Sequence, residues 1–316
     1  MRIVKIFSFI LFVLMSFWGI SQKLSPKQMA NRTNTYSTIK KKNDSLIVAS
    51  NQFEKANSLF ELGSLNVTLK KYKEAISNFS ESLEFALIDE VYLERALAYD
   101  AIGESKNAID DINKHLQITE GSSISKNQYR LIYFVKAYNY IKLENFESAL
   151  NEYNTYIKVN DSDGLMLRER GACLYRLGRK VEAIQDFTKA INLPLDEAYN
   201  IDAKIFAYTM RALAKEDLGD YYGALKDVDF ALELGDKSNM PFIIRGNIML
   251  KQKSYNSAIA NFNIALEKDD KNTDVLLKRA QAKLLNGEKK SACIDLSHLG
   301  ELGVKEAYDL INKFCN

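Results

Sequence analysis

Small and apolar residues recur along this chain with a helical period, and the pattern itself recurs. Taking Ala75, Ala108, Ala149, Ala183, Ala224, Ala258 and Ala292 as anchors, the spacings are 33, 41, 34, 41, 34 and 34 residues. Four residues after each anchor stand Phe79, Ile112, Tyr153, Phe187, Val228, Phe262 and Leu296. Eight after stand Leu83, Leu116, Ile157, Ile191, Leu232, Leu266 and a divergent Gly300. Twelve before stand Gly63, Ala96, Ala137, Gly171, Ala212, Gly246 and Ala280, and sixteen before stand Leu59, Tyr92, Tyr133, Leu167, Tyr208, Phe242 and Leu276.

Apolar residues at i and i+4 on two successive stretches predict two amphipathic helices per repeat. A small residue on each helix predicts that the two backbones approach closely, small side chain against small. Gly103, Gly178, Gly219 and Gly287 stand in the intervening turns, where a helix ending in a left-handed residue favours glycine; the third repeat has Glu144 instead. Each spacing of 41 is seven longer than 34. Seven residues make close to two helical turns, so the insertions are expected to lengthen a helix without rotating its face.

The runs Tyr92–Tyr99 (YLERALAY) with Ala108–Asp111 (AIDD), and Arg170–Gly178 (RGACLYRLG) with Ala183–Phe187 (AIQDF), resemble the tetratricopeptide repeat. Stacked hairpins of this period bury a continuous core. The resemblance implies an all-α fold: a right-handed α-solenoid of about seven helix-turn-helix repeats over residues 56–303. Residues 22–55 read as a helical lead-in, and 304–316 as a C-terminal capping helix with Ala307, Leu310, Ile311 and Phe314 on one face.

The first 21 residues read differently. Arg2 and Lys5 precede a run from Ile6 to Trp18 that is apolar except for Ser8 and Ser16, and Gly19-Ile20-Ser21 offers a small-x-small cleavage site. This is the anatomy of a secretory signal peptide, predicting an exported, periplasmic or extracellular protein with no membrane insertion after cleavage. The rival is an uncleaved N-terminal membrane anchor. Without this segment the chain carries equal numbers of basic and acidic residues, which leaves no basic face for nucleic acid.

In the tetratricopeptide family the first helices line a concave face. Positions i, i+4 and i+7 of those helices supply the candidate partner-binding residues: Phe60, Leu93, Leu97, Phe134, Tyr138, Ile141, Arg168, Tyr175, Leu213 and Asn247. Chaperone-binding members clamp a carboxylate terminus with lysine, arginine and asparagine. Here Phe60 and Ser64 occupy the first lysine and asparagine positions, so that clamp is missing. An apolar, aromatic lining suits an apolar peptide or helix. The competing reading is that neighbouring repeats cover some of these side chains.

A second pair of columns lies sixteen residues apart. Leu62, Arg95, Lys136, Arg170, Arg211, Arg245 and Arg279 face Asn78, Asp111, Glu152, Asp186, Asp227, Asn261 and Asp295. Opposite charges in phase predict an ion pair repeated in each hairpin, worth about half a kcal/mol or less if exposed. The alternative, arginines reserved for an acidic partner, is weaker because the acidic column neutralises them.

Little else suggests chemistry. The chain has two histidines, His115 and His298, and no phosphate-binding loop or nucleophile-elbow motif. No catalytic residue, metal site or cofactor is expected. Cys173 stands where sister repeats have Ala98, Ala214 and Ala282, and reads as a buried thiol. Cys293 opens the last second helix and Cys315 ends the cap. Counted outward from the turn near Gly300–Gly303 they lie about nine and twelve residues away, an offset of roughly 4 to 5 Å at helical rise. Antiparallel packing then allows a disulfide in an oxidising compartment, two unrelated thiols being the alternative. The function expected is a non-catalytic scaffold or adaptor that holds a protein or peptide, in envelope assembly or secretion. A carbohydrate- or cell-wall-binding receptor is the alternative, although the one tryptophan, Trp18, lies in the signal segment.

Overall fold

The computed structural model describes residues 34–35, 37–41, 51–122, 124–196 and 199–315. The signal segment, 1–21, and most of the lead-in lie outside these residues. From residue 51 onward the described chain is helix and short connections. It divides into two compact units, one running to Glu120 and the other from Gly121 to the end.

The first unit holds two hairpins: α1 (Gln52–Thr68) with α2 (Tyr72–Phe85), and α3 (Asp89–Ala101) with α4 (Ser105–Ile118). The second unit holds five hairpins. They are α5 (Lys126–Lys142) with α6 (Phe146–Ile157), α7 (Gly164–Arg176) with α8 (Lys180–Asn192), α9 (Ile201–Asp217) with α10 (Tyr221–Glu233), α11 (Met240–Lys251) with α12 (Tyr255–Lys268), and α13 (Thr273–Leu285) with α14 (Lys289–Glu301). A last helix, α15 (Lys305–Phe314), packs on α14.

One motif makes every intra-repeat turn. In the α7–α8 turn, Arg179 N–H donates to Leu174 O and Gly178 N–H to Tyr175 O; the other hairpins repeat both bonds. These are the 6→1 and 5→2 bonds that satisfy the last carbonyls of a helix. The residue between must be left-handed. Gly103, Gly178, Gly219 and Gly287 take φ of 76 to 83°, but Lys70, Glu144 and Lys253 take the same conformation at 56 to 60°. The pattern of the turn thus overrides a side-chain cost of about 1 to 2 kcal/mol at three positions. Asn51, Ser125, Asp163, Asn200 and Asn272 begin first helices by accepting a backbone N–H on their side chains.

The insertions extend α5 and α9 to 17 residues against 13 for α7 and α13. The first helix therefore gains four residues, about one turn, and the remaining three lie before its start. That corrects the expectation of a purely helical insertion.

All seven anchor alanines are fully buried, as are the seven residues four positions later. In three hairpins the small residue of the first helix faces a ring and not a second small side chain. A Cβ on Gly63, Gly171 or Gly246 would sit 2.4, 2.8 or 2.5 Å from the ring of Phe79, Phe187 or Phe262 in the same hairpin. The missing side chain makes room for a phenyl ring. Where the first helix carries alanine at this position, the second carries Ile112, Tyr153, Val228 or Leu296.

Candidate partner-binding face

The ten candidate residues separate into covered and available ones. In the first unit Leu93 and Leu97, at 7% and 6% exposure, are buried, which removes them from the lining. They lie on α3, which packs against α1, α2 and α4, so apolar side chains there are taken into the interior. Phe60 on α1 is half-buried, its ring centroid 5.9 Å from that of Phe79.

In the second unit the first helices α5, α7, α9 and α11 bring the remaining seven to successive hairpins. Phe134 and Tyr138, one turn apart on α5, stack with ring centroids 6.3 Å apart and planes 3° from parallel. Both are half-buried, as is Ile141 one turn further on. Arg168 on α7 is ion-paired with Glu169 and lies 5.0 Å from the Phe206 ring centroid. Tyr175 donates its hydroxyl to Asp217 on α9 at 2.8 Å. Leu213 is half-buried beside the core of the α9–α10 hairpin. Asn247 Nδ2 donates to Glu216 at 3.3 Å, while its Oδ1 is buried without a hydrogen-bond donor.

Charged residues stand beside them: Glu216, itself at the i+7 position of α9, and Lys180, Asp217 and Lys251, which the spacing does not single out. Glu216, nearly fully buried, accepts from Lys251 Nζ at 2.7 Å. Asp217 accepts from Lys180 Nζ at 2.8 Å as well as from Tyr175. Burial pulls the Asp217 carboxyl upward, but the Lys180 and Tyr175 hydrogen bonds outweigh it and hold the group below its ordinary range. Burial likewise pulls Lys251 downward, and Glu216 more than reverses this. Burial, then the bond to Asp217, pushes the Tyr175 hydroxyl up. Charges on this face are therefore neutralised from within the chain. Its remaining contact groups are aromatic, aliphatic and amide.

The paired columns form a clasp. Arg95, Arg170, Arg211 and Arg279 each donate Nε and Nη2 to both oxygens of Asp111, Asp186, Asp227 and Asp295, at 2.6 to 2.9 Å. Lys136 reaches Glu152 at 2.9 Å. Arg245, facing Asn261, turns instead to Asp229 on α10. The bonds are not exposed ones: Asp227 and Asp295 are each 2% exposed, and each also accepts from a lysine, Lys215 or Lys283, at 2.8 Å. The third arm of the guanidinium leaves the hairpin. Nη1 of Arg95, Arg170, Arg211 and Arg279 donates to Ser80, Asn154, Thr188 and Asn263 on the second helix of the preceding hairpin. That polar column, five residues after the anchors, was legible in the sequence. Only the fork geometry of arginine explains it.

His115 is fully buried, with Nδ1 2.9 Å from Asp89 O. Ser82, at the same repeat position, donates to Ala56 O at 2.8 Å. Both polar side chains thus tie a second helix to the start of its first. Cys173 is a buried free thiol, and burial pushes its pKa up to about 11. Cys293 and Cys315 are disulfide-bonded, with Cα atoms 5.8 Å apart. No helix among the described residues is long and apolar enough to cross a membrane.

Comparison with known proteins agrees with this geometry. Residues 56–87 and 134–199 match family models of the tetratricopeptide repeat. Tetratricopeptide repeat protein 6 of Homo sapiens is 24% identical over 217 residues, covering 67% of this chain and 39% of that protein. Hsp70-Hsp90 organizing protein 3 of Arabidopsis thaliana is 24% identical over 257 residues, covering 69% of this chain and 44% of that protein. The chain thus spans about two-fifths of the length of these curated relatives. Among solved structures, a tetratricopeptide repeat protein from Parabacteroides merdae superposes with a TM-score of 0.59 at 18% identity, covering 83% of this chain and 99% of that one. PilW, described as a type IV pilus biogenesis factor, gives 0.60 at 16% identity, covering 72% and 99%. Residues 56–87 and 134–199 thus carry tetratricopeptide repeats, and the all-helical fold resembles that of tetratricopeptide solenoid proteins.

Proposed function

We propose that this chain is a non-catalytic adaptor that holds a polypeptide segment against the first-helix face of its second unit. The observation that carries this reading is the half-buried aromatic set Phe134, Tyr138 and Tyr175 on neighbouring first helices, beside charges already paired within the chain. Apolar and aromatic side chains supply contact area at small entropic cost, while internally neutralised charges neither attract nor repel a partner strongly. The segment held is therefore apolar or aromatic in character and needs no terminal carboxylate. We place the work outside the cytoplasm, with residues 1–21 as the export signal; the basic start, apolar run and Gly19-Ile20-Ser21 support this. Hsp70-Hsp90 organizing protein 3, whose name describes the organisation of other proteins, supports the adaptor reading.

The test pairs capture with substitution. Protein recovered from an envelope fraction should begin at Gln22, and as bait it should retain a polypeptide that Tyr138→Ala/Tyr175→Ala loses. Tyr175→Phe, which keeps the ring and drops the Asp217 bond, should retain it. Equal capture by wild type and the double variant overturns the binding face. A chain beginning at Met1 and embedded in membrane overturns export.

A further inference from the structure

We infer that the Cys293–Cys315 disulfide is a thiol-sensitive latch: reduction undocks α15 and uncovers the apolar end of the second unit. The inference starts from how weakly α15 is otherwise held. The helix is ten residues long and no side chain caps its N-terminus, where Val304 stands. Helices of that length are marginal unless packing holds them. Of its residues, Ala307 is fully buried; Leu310 and Ile311 are half-buried. The Tyr308 hydroxyl donates to Gly300 O of α14 at 3.0 Å.

What α15 covers is a face built to receive a helix. Ala307 joins the same apolar cluster as Leu296 and Leu299 of α14, with Leu302, Val304, Leu310 and Ile311 around it. In preceding hairpins the first helix of the next hairpin packs on the second helix, as α13 does on α12 and α9 on α8. On α14, α15 takes that seat, and the disulfide fastens its far end.

The bond joins residues 22 apart in sequence, and both cysteines are half-buried rather than enclosed. While the bond is intact, an undocked α15 remains a closed loop and gains little freedom. Breaking the bond removes that restraint and raises the ratio of undocked to docked helix by about a hundredfold. The reductant is a dithiol. Its thiolate attacks one cysteine sulfur, the S–S bond breaks, and a mixed disulfide forms. Its second thiol then closes the reagent's own disulfide and releases the remaining cysteine. Two electrons and two protons pass from the dithiol to Cys293 and Cys315. The latch stands apart from the polypeptide-binding reading and needs no partner.

Hydrogen exchange by mass spectrometry on the full chain, before and after dithiothreitol, tests it, with the gain of two hydrogens verified on the intact mass. Exchange of the α15 amides should accelerate about a hundredfold while those of α7 and α8 keep their protection. A Cys293→Ser/Cys315→Ser variant should match the reduced chain without reagent. Unchanged α15 protection in the verified reduced chain overturns the latch. So does an equal loss across α7, α8 and α15, which would mean the bond supports the whole unit.

Discussion

Gly246→Ala tests whether glycine is required wherever phenylalanine stands opposite. The added Cβ would lie 2.5 Å from Phe262 Cε1 and 2.7 Å from Cδ1. Carbon atoms prefer about 3.5 to 4.0 Å, so α11 and α12 must part by roughly 1 Å or the ring must leave its rotamer. Phe262 is fully buried, which leaves the ring little space to turn into. Overpacking of this kind costs about 1 to 3 kcal/mol. Replacing a mid-helix glycine by alanine returns about 0.5 to 1 kcal/mol. The net expectation is a loss of about 1 to 2 kcal/mol, or a fall in Tm of about 2 to 8 °C for a unit of this size. Phe262→Leu alone should also destabilise, by about 2 kcal/mol for the apolar carbons removed. The double variant Gly246→Ala/Phe262→Leu recreates the Ala280–Leu296 pairing of the last hairpin and should be more stable than the two losses together imply. Urea unfolding followed by far-UV circular dichroism measures all three, with a constant m-value confirming a common reference state. A neutral or stabilising Gly246→Ala, or strict additivity in the double variant, refutes the pairing.

Two further outcomes follow from the charges. Asp227→Ala leaves Arg211 and Lys215 without their shared carboxylate and should cost about 2 to 4 kcal/mol in urea unfolding, less than a fully buried pair because both cations keep some solvent contact; a cost below about 0.5 kcal/mol would place the clasp among ordinary surface pairs. Burial, and secondarily the Glu90 charge, pushes the Glu94 carboxyl up to about 7. A carboxyl raised in the folded state binds its proton more tightly there than when unfolded, so its contribution falls as pH rises from the ordinary carboxylate range to about 7. Glu94→Gln should therefore flatten the decline in stability across that window, and an unchanged pH profile would show that Glu94 is not responsible.

The sequence alone determined everything that depends on period. A repeat of 33 or 34 residues places the same side chain in the same local environment each time, so helix pairs, buried anchors and the arginine–carboxylate columns could all be aligned without coordinates. The counting that set Cys293 near Cys315 rests on the same regularity, because helical rise converts residue number into distance. The Gly63–Phe79, Gly171–Phe187 and Gly246–Phe262 pairings were also written in the sequence, but alanine and glycine look equivalent until a ring is found 2.4 to 2.8 Å from the absent Cβ. Only the tertiary structure decided which lining residues stay available. Leu97 and Tyr138 occupy the same repeat position, eleven before their anchors, yet Leu97 is enclosed and Tyr138 is half-open, because burial depends on what neighbouring helices bring rather than on register. Tertiary structure also decided that Lys70, Glu144 and Lys253 adopt left-handed backbone. Two backbone bonds and a packed hairpin outweigh a local preference that, read residue by residue, argues against such a turn.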